Sequence, residues 1–179
     1  METWLFGGRL MSQIKVNSIV PAGGLVSGSN GGIIQVVQAV KTDSFTHNST
    51  SFVDLTGLSA TITPSSSSNK ILVEARIYMS MGTSSGSTTA IFNFVRGSTN
   101  IAQPAGSNSH NATMHSWNNV AHMAAHGMNF LDSPATTSAT TYKIQVRGDG
   151  TAAVININKY YSNDNYRGIS TLTLYEVST

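Results

Sequence analysis

The chain has 179 residues, which is enough for one ordinary domain with a short extension and too little for two. It contains no cysteine, so disulfide bonds, thiolate metal sites and a cysteine nucleophile are excluded. Ten basic and eight acidic residues leave a net charge of +2, and this small imbalance argues against nucleic-acid binding driven by counterion release.

Uncharged polar residues dominate the surface that the composition predicts. Charged residues make up only 10% of the chain, whereas Ser, Thr and Asn together make up a third of it. No apolar run approaches the length of about 18 residues that a membrane-spanning helix needs, so no membrane partner is expected. The 16 glycines and the scarcity of strong helix formers favour an all-β protein.

The first 32 residues are predicted to form an extended N-terminal arm. Residues 1–10 are short and apolar, and two explanations stay open: an alternative translation start ahead of Met11, or a peptide that anchors the chain in a neighbouring subunit. Apolar residues alternate over 13–20, as in one short strand, and glycine-rich turn and linker residues follow up to residue 32.

From residue 33 onward, short predicted strands follow one another with turn residues between them. The strands are predicted at 33–40, 51–58, 59–63, 70–79, 89–96, 120–130, 141–147, 152–158 and 170–177. Polar loops are predicted at 64–69, 82–87, 106–119 and 131–138. About nine antiparallel strands in this length predict a two-sheet jelly-roll β-sandwich over residues 33–179.

The edges of such a sandwich need protection against pairing with other chains. Charged side chains usually provide that protection, and they are sparse in this sequence. We therefore expect copies of the same chain to cover an edge or a face of the sheets.

Three segments resemble the tail fibre and virion structural proteins of marine bacteriophages and cyanophages. Residues 11–24 (MSQIKVNSIVPAGG) are similar to the amino-terminal start of many of these proteins. Residues 50–73 (TSFVDLTGLSATITPSSSSNKILV) and 131–146 (LDSPATTSATTYKIQV) are similar to segments that recur together in the distal domains of such fibres. The segment GIIQVVQ at 32–38 lies between the first two.

The resemblance implies a non-enzymatic virion component, made in the bacterial cytoplasm, with a jelly roll on an attachment arm. A homotrimer is expected, as is common for jelly rolls at fibre tips. One interpretation is a tail fibre or fibre tip that recognises a glycan or protein of the host surface. The other is a capsid decoration, cement or tail adaptor protein that binds only other virion proteins. Candidate contacts of the arm with the virion are Trp4, Leu5, Phe6, Ile14, Val16 and Ile19.

The acidic residues do not form a pattern typical of an enzyme. Glycoside cleavage commonly needs two carboxylates about 5–10 Å apart on either side of the sugar bond. Here the acids are spread through different loops and strands, and several lie in turns, where Asp normally accepts hydrogen bonds from local backbone amides. Catalysis and a bound cofactor are therefore not expected.

Histidine is concentrated between residues 110 and 126. His122 and His126 share a face in a strand, but they are then about 13 Å apart, too far to bind one ion. His115, His122 and His126 are therefore weak candidates for a metal site, which would need a symmetry axis that brings together one histidine from each of several copies. The competing interpretation is that these histidines form hydrogen bonds in loops or at a subunit interface.

Two segments have the composition of a receptor-binding surface. Trp117, Asn118 and Asn119 combine an aromatic face with planar amides, as sugar-binding sites do. The segment 160–167 offers a chemistry similar to that of adaptable antibody loops. Its candidate residues are Tyr160, Tyr161, Tyr166 and Arg167. The competing interpretation for both segments is subunit packing, because Tyr and Trp also favour oligomer interfaces.

Overall fold

The structure is a computed structural model that describes residues 32–82, 88–118, 122–150 and 153–179. These residues form strands, turns and loops, and no helix among them could cross a membrane. The strands are β1 (Ile33–Lys41), β2 (Phe45–His47), β3 (Val53–Ile62), β4 (Lys70–Gly82), β5 (Thr88–Arg96), β6 (Thr99–Ile101), β7 (Met114–Asn118), β8 (Met123–Asp132), β9 (Thr140–Gly148), β10 (Val154–Ile157) and β11 (Ser170–Val177).

The strands form two antiparallel sheets with the order of a jelly roll. In the first sheet, β1 pairs with β11, β11 with β4, and β4 with β8. β11 pairs with the first part of β4, and β10 pairs with its last residues on the same edge. β2 pairs with β10, so β10 and β2 lie beyond the ends of β11 and β1 in the sheet. In the second sheet the order is β3, β9 and β5, and then β6 and β7 share the remaining edge of β5. The predicted all-β jelly-roll sandwich is confirmed.

Apolar residues at every second position of β4, from Ile71 to Met81, explain why the two sheets pack against each other. Ile71, Val73, Ile77 and Met79 point to the same side and are completely buried. Successive side chains of a strand point to opposite faces, so the residues between them form the outer face of the first sheet. Burial of each such large apolar side chain contributes about 1.5–3 kcal/mol to stability. The second sheet covers this core from the other side with residues such as Phe92, Phe94 and Ile144.

A buried polar cluster joins the two sheets at one edge. Asp132, the last residue of β8 in the first sheet, accepts hydrogen bonds from the Tyr142 hydroxyl at 2.7 Å and from the Arg96 guanidinium at 2.7 Å. Tyr142 and Arg96 belong to the second sheet. Burial and the neighbouring Asp132 carboxylate raise the pKa of the Tyr142 hydroxyl above its usual value, so this group stays a proton donor.

The structure corrects the predicted number and bounds of the strands. Residues 51–63, predicted as two strands, form the single strand β3 with an irregular register near Gly57, whose φ is +86°. β2 was not predicted, and β7 lies in the 106–119 stretch that was predicted to be a loop. These strands have only three and five residues, too few for a periodic pattern, and form because longer strands offer them an edge. The predicted arm lies almost wholly outside the described residues and stays a prediction.

The Glu176 carboxylate is buried without a cationic partner among the described residues. Its Oε1 accepts hydrogen bonds from the Ser65 amide at 2.6 Å, the Ser65 hydroxyl at 2.7 Å and the Asn69 side-chain amide at 2.6 Å. Burial by itself raises the pKa of this carboxyl, but the hydrogen bonds from Asn69 and Ser65 outweigh burial and lower it below the usual 4.5. This carboxylate therefore fixes the 64–69 loop against β11.

We predict that Glu176→Gln lowers the free energy of unfolding by about 1–3 kcal/mol at neutral pH, because a neutral amide replaces an acceptor shared by three donors. A carboxyl whose folded pKa is lowered stabilises the protein above its unfolded pKa, and that contribution is lost as the pH falls through the folded pKa. The difference in free energy of unfolding between wild type and Glu176→Gln should therefore become smaller below about pH 4.5. Urea unfolding of both proteins from pH 7 to pH 3 measures it, and a difference that is absent or independent of pH contradicts the assignment.

Candidate functional site

The segment between β10 and β11, residues 158–169, brings several sequence-predicted receptor residues together, and we call it the tyrosine loop. It contains Tyr160, Tyr161, Tyr166 and Arg167, and it lies against Tyr78 on the outer face of β4. The structure therefore places these loop residues close together, and their role as receptor contacts stays a prediction. Tyr78 joins them although the sequence analysis did not select it.

Asn158 anchors the start of the tyrosine loop. The residue is completely buried and has a φ of +59°, a left-handed conformation that Asn tolerates better than most residues. Its side-chain amide donates to the carbonyl oxygens of Lys41 at 2.8 Å and Asp43 at 3.1 Å. Its Oδ1 accepts a hydrogen bond from the Ser170 hydroxyl at 2.7 Å, so one side chain connects the end of β1 to the start of β11.

Backbone hydrogen bonds extend this anchor to β4 and close the loop on itself. The Asn158 amide donates to the Tyr78 carbonyl at 2.8 Å, and the Tyr78 amide donates to the Ser170 hydroxyl at 3.0 Å. Gly168 donates to the Asn158 carbonyl at 3.3 Å, so the two ends of the loop lie side by side. The Ser80 hydroxyl donates to the Lys159 carbonyl at 2.9 Å. The tyrosine loop is therefore held to the strand beneath it at both ends.

Two glycines allow the loop and β4 to approach closely. A Cβ added to Gly168 would lie 2.7 Å from the Cγ of Tyr78, closer than packed carbon atoms approach. A Cβ added to Gly82 would lie 3.2 Å from the Cδ2 of Tyr161, which is a tight but adjustable contact. Gly168 is thus required for the position of Tyr78 beneath the loop.

The aromatic rings of the loop pack edge to face. The Tyr160 ring centroid lies 5.0 Å from that of Tyr161 and 5.6 Å from that of Tyr166, with interplanar angles of 60° and 73°. Such T-shaped pairs contribute about 0.5–1.5 kcal/mol beyond area burial. The Tyr160 amide also donates to the Tyr166 carbonyl at 3.1 Å. The rings are therefore oriented before any ligand binds, while Tyr166 remains 64% exposed.

An open groove of about 600 Å³ lies between the tyrosine loop and the outer face of the first sheet. It is lined by Tyr78, Met123, Tyr160, Asn165, Tyr166 and Arg167. Arg167 forms an ion pair with Asp164 at 3.2 Å, but both side chains are exposed, so the pair is weak and leaves the guanidinium available. The groove thus presents aromatic rings, an amide and a cation, which together can hold a sugar or an anionic group.

The second predicted receptor segment is only partly described. The structure places Trp117 and Asn118 in β7, where Trp117 pairs with Thr89, and Asn119 lies outside the described residues. The loop that precedes β7 is hydrogen-bonded to residues at the end of β9. His110 contacts the Asp149 carboxylate at 2.5 Å, and the buried Arg147 donates to the Ser109 carbonyl at 2.8 Å.

The predicted histidine candidates do not gather. His115 is hydrogen-bonded to the His110 carbonyl at 2.7 Å, His126 lies beside the Ser116 hydroxyl at 3.2 Å, and His122 is exposed just before β8. Burial lowers the pKa of His126 below its usual value, so its ring is neutral at pH 7. Within the part of the chain that the structure describes, no three metal-ligating side chains form a cluster.

The described carboxylates, apart from Glu74, are engaged within the fold. Asp43, Asp54, Asp132, Asp149 and Asp164 each contact a basic side chain, and Glu176 accepts the three hydrogen bonds described above. Hydrogen bonds from Lys143 and Gln145 lower the pKa of Asp54 below its usual value. Glu74 is exposed on the outer face of β4.

A comparison with solved structures finds matches of low identity and low TM-score. The tripod from the baseplate of bacteriophage Tuc2009 is 12% identical, with a TM-score of 0.35 over 97% of this chain and 79% of that one. A mutant VP2 protein of infectious bursal disease virus, in derived T=1 particles, is 13% identical, with a TM-score of 0.38 over 91% of this chain and 40% of that one. The Gx strain of the same virus gives 10% identity and a TM-score of 0.37, over 93% and 42%.

The chain spans about two fifths of the length of the two infectious bursal disease virus chains. No protein-family model and no curated protein sequence match the chain. Because the sequence identities and TM-scores of these structures are low, the function of this chain has to be inferred from its own residues.

We predict that Asn158→Ala lowers the free energy of unfolding by about 2–4 kcal/mol, because buried carbonyls lose their donor and alanine is strained at positive φ. Asn158→Gly removes the same hydrogen bonds but relieves the strain, so it should recover about 1 kcal/mol of the loss. Urea unfolding measures both values, and near-ultraviolet circular dichroism reports the tyrosine environment. Wild-type stability and an unchanged tyrosine spectrum in Asn158→Ala would show that the residue is not the anchor.

Proposed function

We propose that the chain is a non-enzymatic structural protein of a bacteriophage particle that contacts the host surface through the groove beside the tyrosine loop. The observation that carries this proposal is the open groove lined by Tyr160, Asn165, Tyr166 and Arg167, in which the two tyrosine rings pack edge to face. The resemblance of three sequence segments to tail fibre proteins supports the particle assignment.

The chemistry of the groove suits a saccharide of the bacterial surface. Aromatic ring faces pack against the apolar C–H faces of sugars, and the Asn165 amide can both donate and accept hydrogen bonds with their hydroxyl groups. The Arg167 guanidinium can bind a carboxylate or phosphate of an acidic polysaccharide through two parallel hydrogen bonds. The T-shaped packing of the rings reduces the side-chain entropy that would otherwise be lost on binding.

The proposal includes the attachment of the chain to the particle. The predicted arm, residues 1–32, would bind other virion proteins of the tail through its apolar residues, with the jelly roll presented outward. We also propose that copies of the chain associate with one another, because low surface charge protects sheet edges poorly. Under this proposal the protein acts as a tail fibre or fibre-tip component.

We predict that Tyr166→Ala and Arg167→Ala each weaken binding to the host cell at least tenfold. Both side chains are exposed and line the groove, and truncation of such aromatic and arginine anchors commonly costs about 2 kcal/mol or more of binding energy. The measurement is competition, in which purified full-length protein blocks the adsorption of intact particles to the host strain.

Ser98→Ala is the control, because Ser98 is also exposed but lies in the β5–β6 turn of the second sheet. It should compete as well as wild type. If Tyr166→Ala and Arg167→Ala fold normally and compete as well as Ser98→Ala, the groove has no role in host recognition.

Immunogold labelling of intact particles with antibody to residues 33–179 tests the location separately. The proposal predicts label at the ends of tail appendages. Label spread over the head would instead indicate a capsid decoration or cement protein. The absence of label from particles would contradict both virion roles.

A further inference from the structure

Apart from Tyr78, which the tyrosine loop contacts, the outer face of the first sheet carries apolar side chains that no described part of the chain covers. Along β4 the outward residues are Leu72, Glu74, Arg76 and Tyr78, because their neighbours Ile71, Val73, Ala75 and Ile77 form the core. A sheet face that meets only water is normally polar, so this pattern needs an explanation. We call this surface the outer face.

One row of apolar residues crosses the outer face from edge to edge. Strand register places Val36 opposite Tyr175, Tyr175 opposite Leu72, and Leu72 opposite Leu131. Val36 and Leu131, at the two ends of the row, are 55% and 46% exposed. A continuous exposed apolar row of this kind marks an interaction surface more often than scattered single residues do.

The two rows that follow along the strands are polar on β11 and β4, but the second of them also contains Val40 of β1, which pairs with Thr171 and is 48% exposed. The next row contains Thr173 and Glu74, with Gln38 donating a hydrogen bond to the Thr173 hydroxyl at 2.9 Å. The row after it contains Thr171 and Arg76.

The fourth row is apolar again. Tyr78 lies opposite Ala125, and Ile169, which is 55% exposed, lies beside Tyr78 two residues before Thr171. Along β4 the outward residues are therefore apolar, acidic, basic and apolar in turn.

If a second copy lies face to face with the first and its β4 runs in the opposite direction, the order of residues on one β4 is complementary to the order on the other. On β4 the reversal exchanges Leu72 with Tyr78 and Glu74 with Arg76. On the neighbouring chain segment it exchanges Tyr175 with Ile169 and Thr173 with Thr171. On these two chain segments apolar residues then meet apolar residues and Glu74 meets Arg76, whereas at the β1 edge the exposed Val40 meets Gln38.

We infer that the outer face binds the same face of a second copy of this chain, with the β4 strands antiparallel across a two-fold axis. Sheets packed face to face lie about 10 Å apart, a distance that opposed Glu and Arg side chains span. Within the described residues neither Glu74 nor Arg76 has an ion-pair partner, although Arg76 lies 5.3 Å from the Tyr78 ring centroid. The second copy supplies that partner at both positions, because a two-fold contact repeats every pair.

The two-fold contact and the proposed host-binding groove can be tested independently. It relates copies in pairs, so the expected homotrimer would need a different surface. The contact shares Tyr78 with the groove, and the tyrosine loop packs against β4 from Tyr78 to Gly82, at one end of the paired faces. Neither Glu74 nor Arg76 lines the groove, but Arg76 lies 5.3 Å from the Tyr78 ring centroid, so Glu74→Arg is the variant that tests the contact without altering a neighbour of the groove.

The test is a charge exchange followed by measurement of mass in solution. Sedimentation equilibrium of the full chain should give twice the chain mass of 18.9 kDa, or an even multiple of it. Glu74→Arg alone and Arg76→Glu alone each place like charges in contact and should weaken association about tenfold or more. The double variant Glu74→Arg/Arg76→Glu restores opposite charges at both positions and should restore the wild-type mass.

Both side chains are exposed, so circular dichroism and thermal unfolding should show the wild-type fold in all three variants. A monomeric wild type overturns the inference. An assembly, threefold or other, that the single charge reversals leave unchanged also overturns it, as does a double variant that associates no better than the single ones.

Discussion

The hydrogen bonds of Asn158 are the constraint on which the functional surface depends. One buried side chain binds two carbonyl groups at the end of β1 and the hydroxyl that begins β11, while its backbone binds β4. A jelly roll supplies strands at fixed spacings but does not by itself fix the conformation of the twelve-residue connection between β10 and β11. Here the two ends of the connection are hydrogen-bonded to each other, since the Gly168 amide donates to the Asn158 carbonyl. The tyrosine rings are consequently presented by a loop that is closed at its base.

The two faces of the first sheet illustrate how one strand serves two purposes. Inward residues of β4 build the core, and Ile71, Ile77 and Met79 are completely buried there. Outward residues present Leu72, Glu74 and Arg76 to another molecule, and Tyr78 joins the outer face to the groove beside the tyrosine loop. Pre-organised rings lower the entropy lost on binding, and repeated copies of a weak site raise the avidity for a repetitive cell surface. Self-association and recognition of a polymeric ligand are therefore compatible physical roles for this fold.

Alternation and composition were enough to predict the sandwich and the tyrosine loop, because apolar residues occupy every second position of β4 from Ile71 to Met81 and three tyrosines fall within seven residues of the loop. They were not enough to predict Tyr78 as part of the groove. Its alternation places it on the outer face, but only strand pairing brings the start of β11 beside it. The role of Asn158 was also missed, because the residue was predicted as the last residue of a strand at 152–158, whereas β10 ends at Ile157. The single strand β3 was divided in two because Gly57 interrupts the pattern at an irregular register rather than at a strand end.

The most direct measurement of the central claim is hydrogen–deuterium exchange of the full chain, with and without surface polysaccharide extracted from the bacterial host. The account predicts that the polysaccharide slows exchange in peptides covering residues 158–169 and the end of β4. It predicts no change in peptides covering the 106–113 loop, which the buried Arg147 and the Asp149 carboxylate already hold to the second sheet. Unchanged exchange in the tyrosine loop, or protection confined to other loops, would contradict the account.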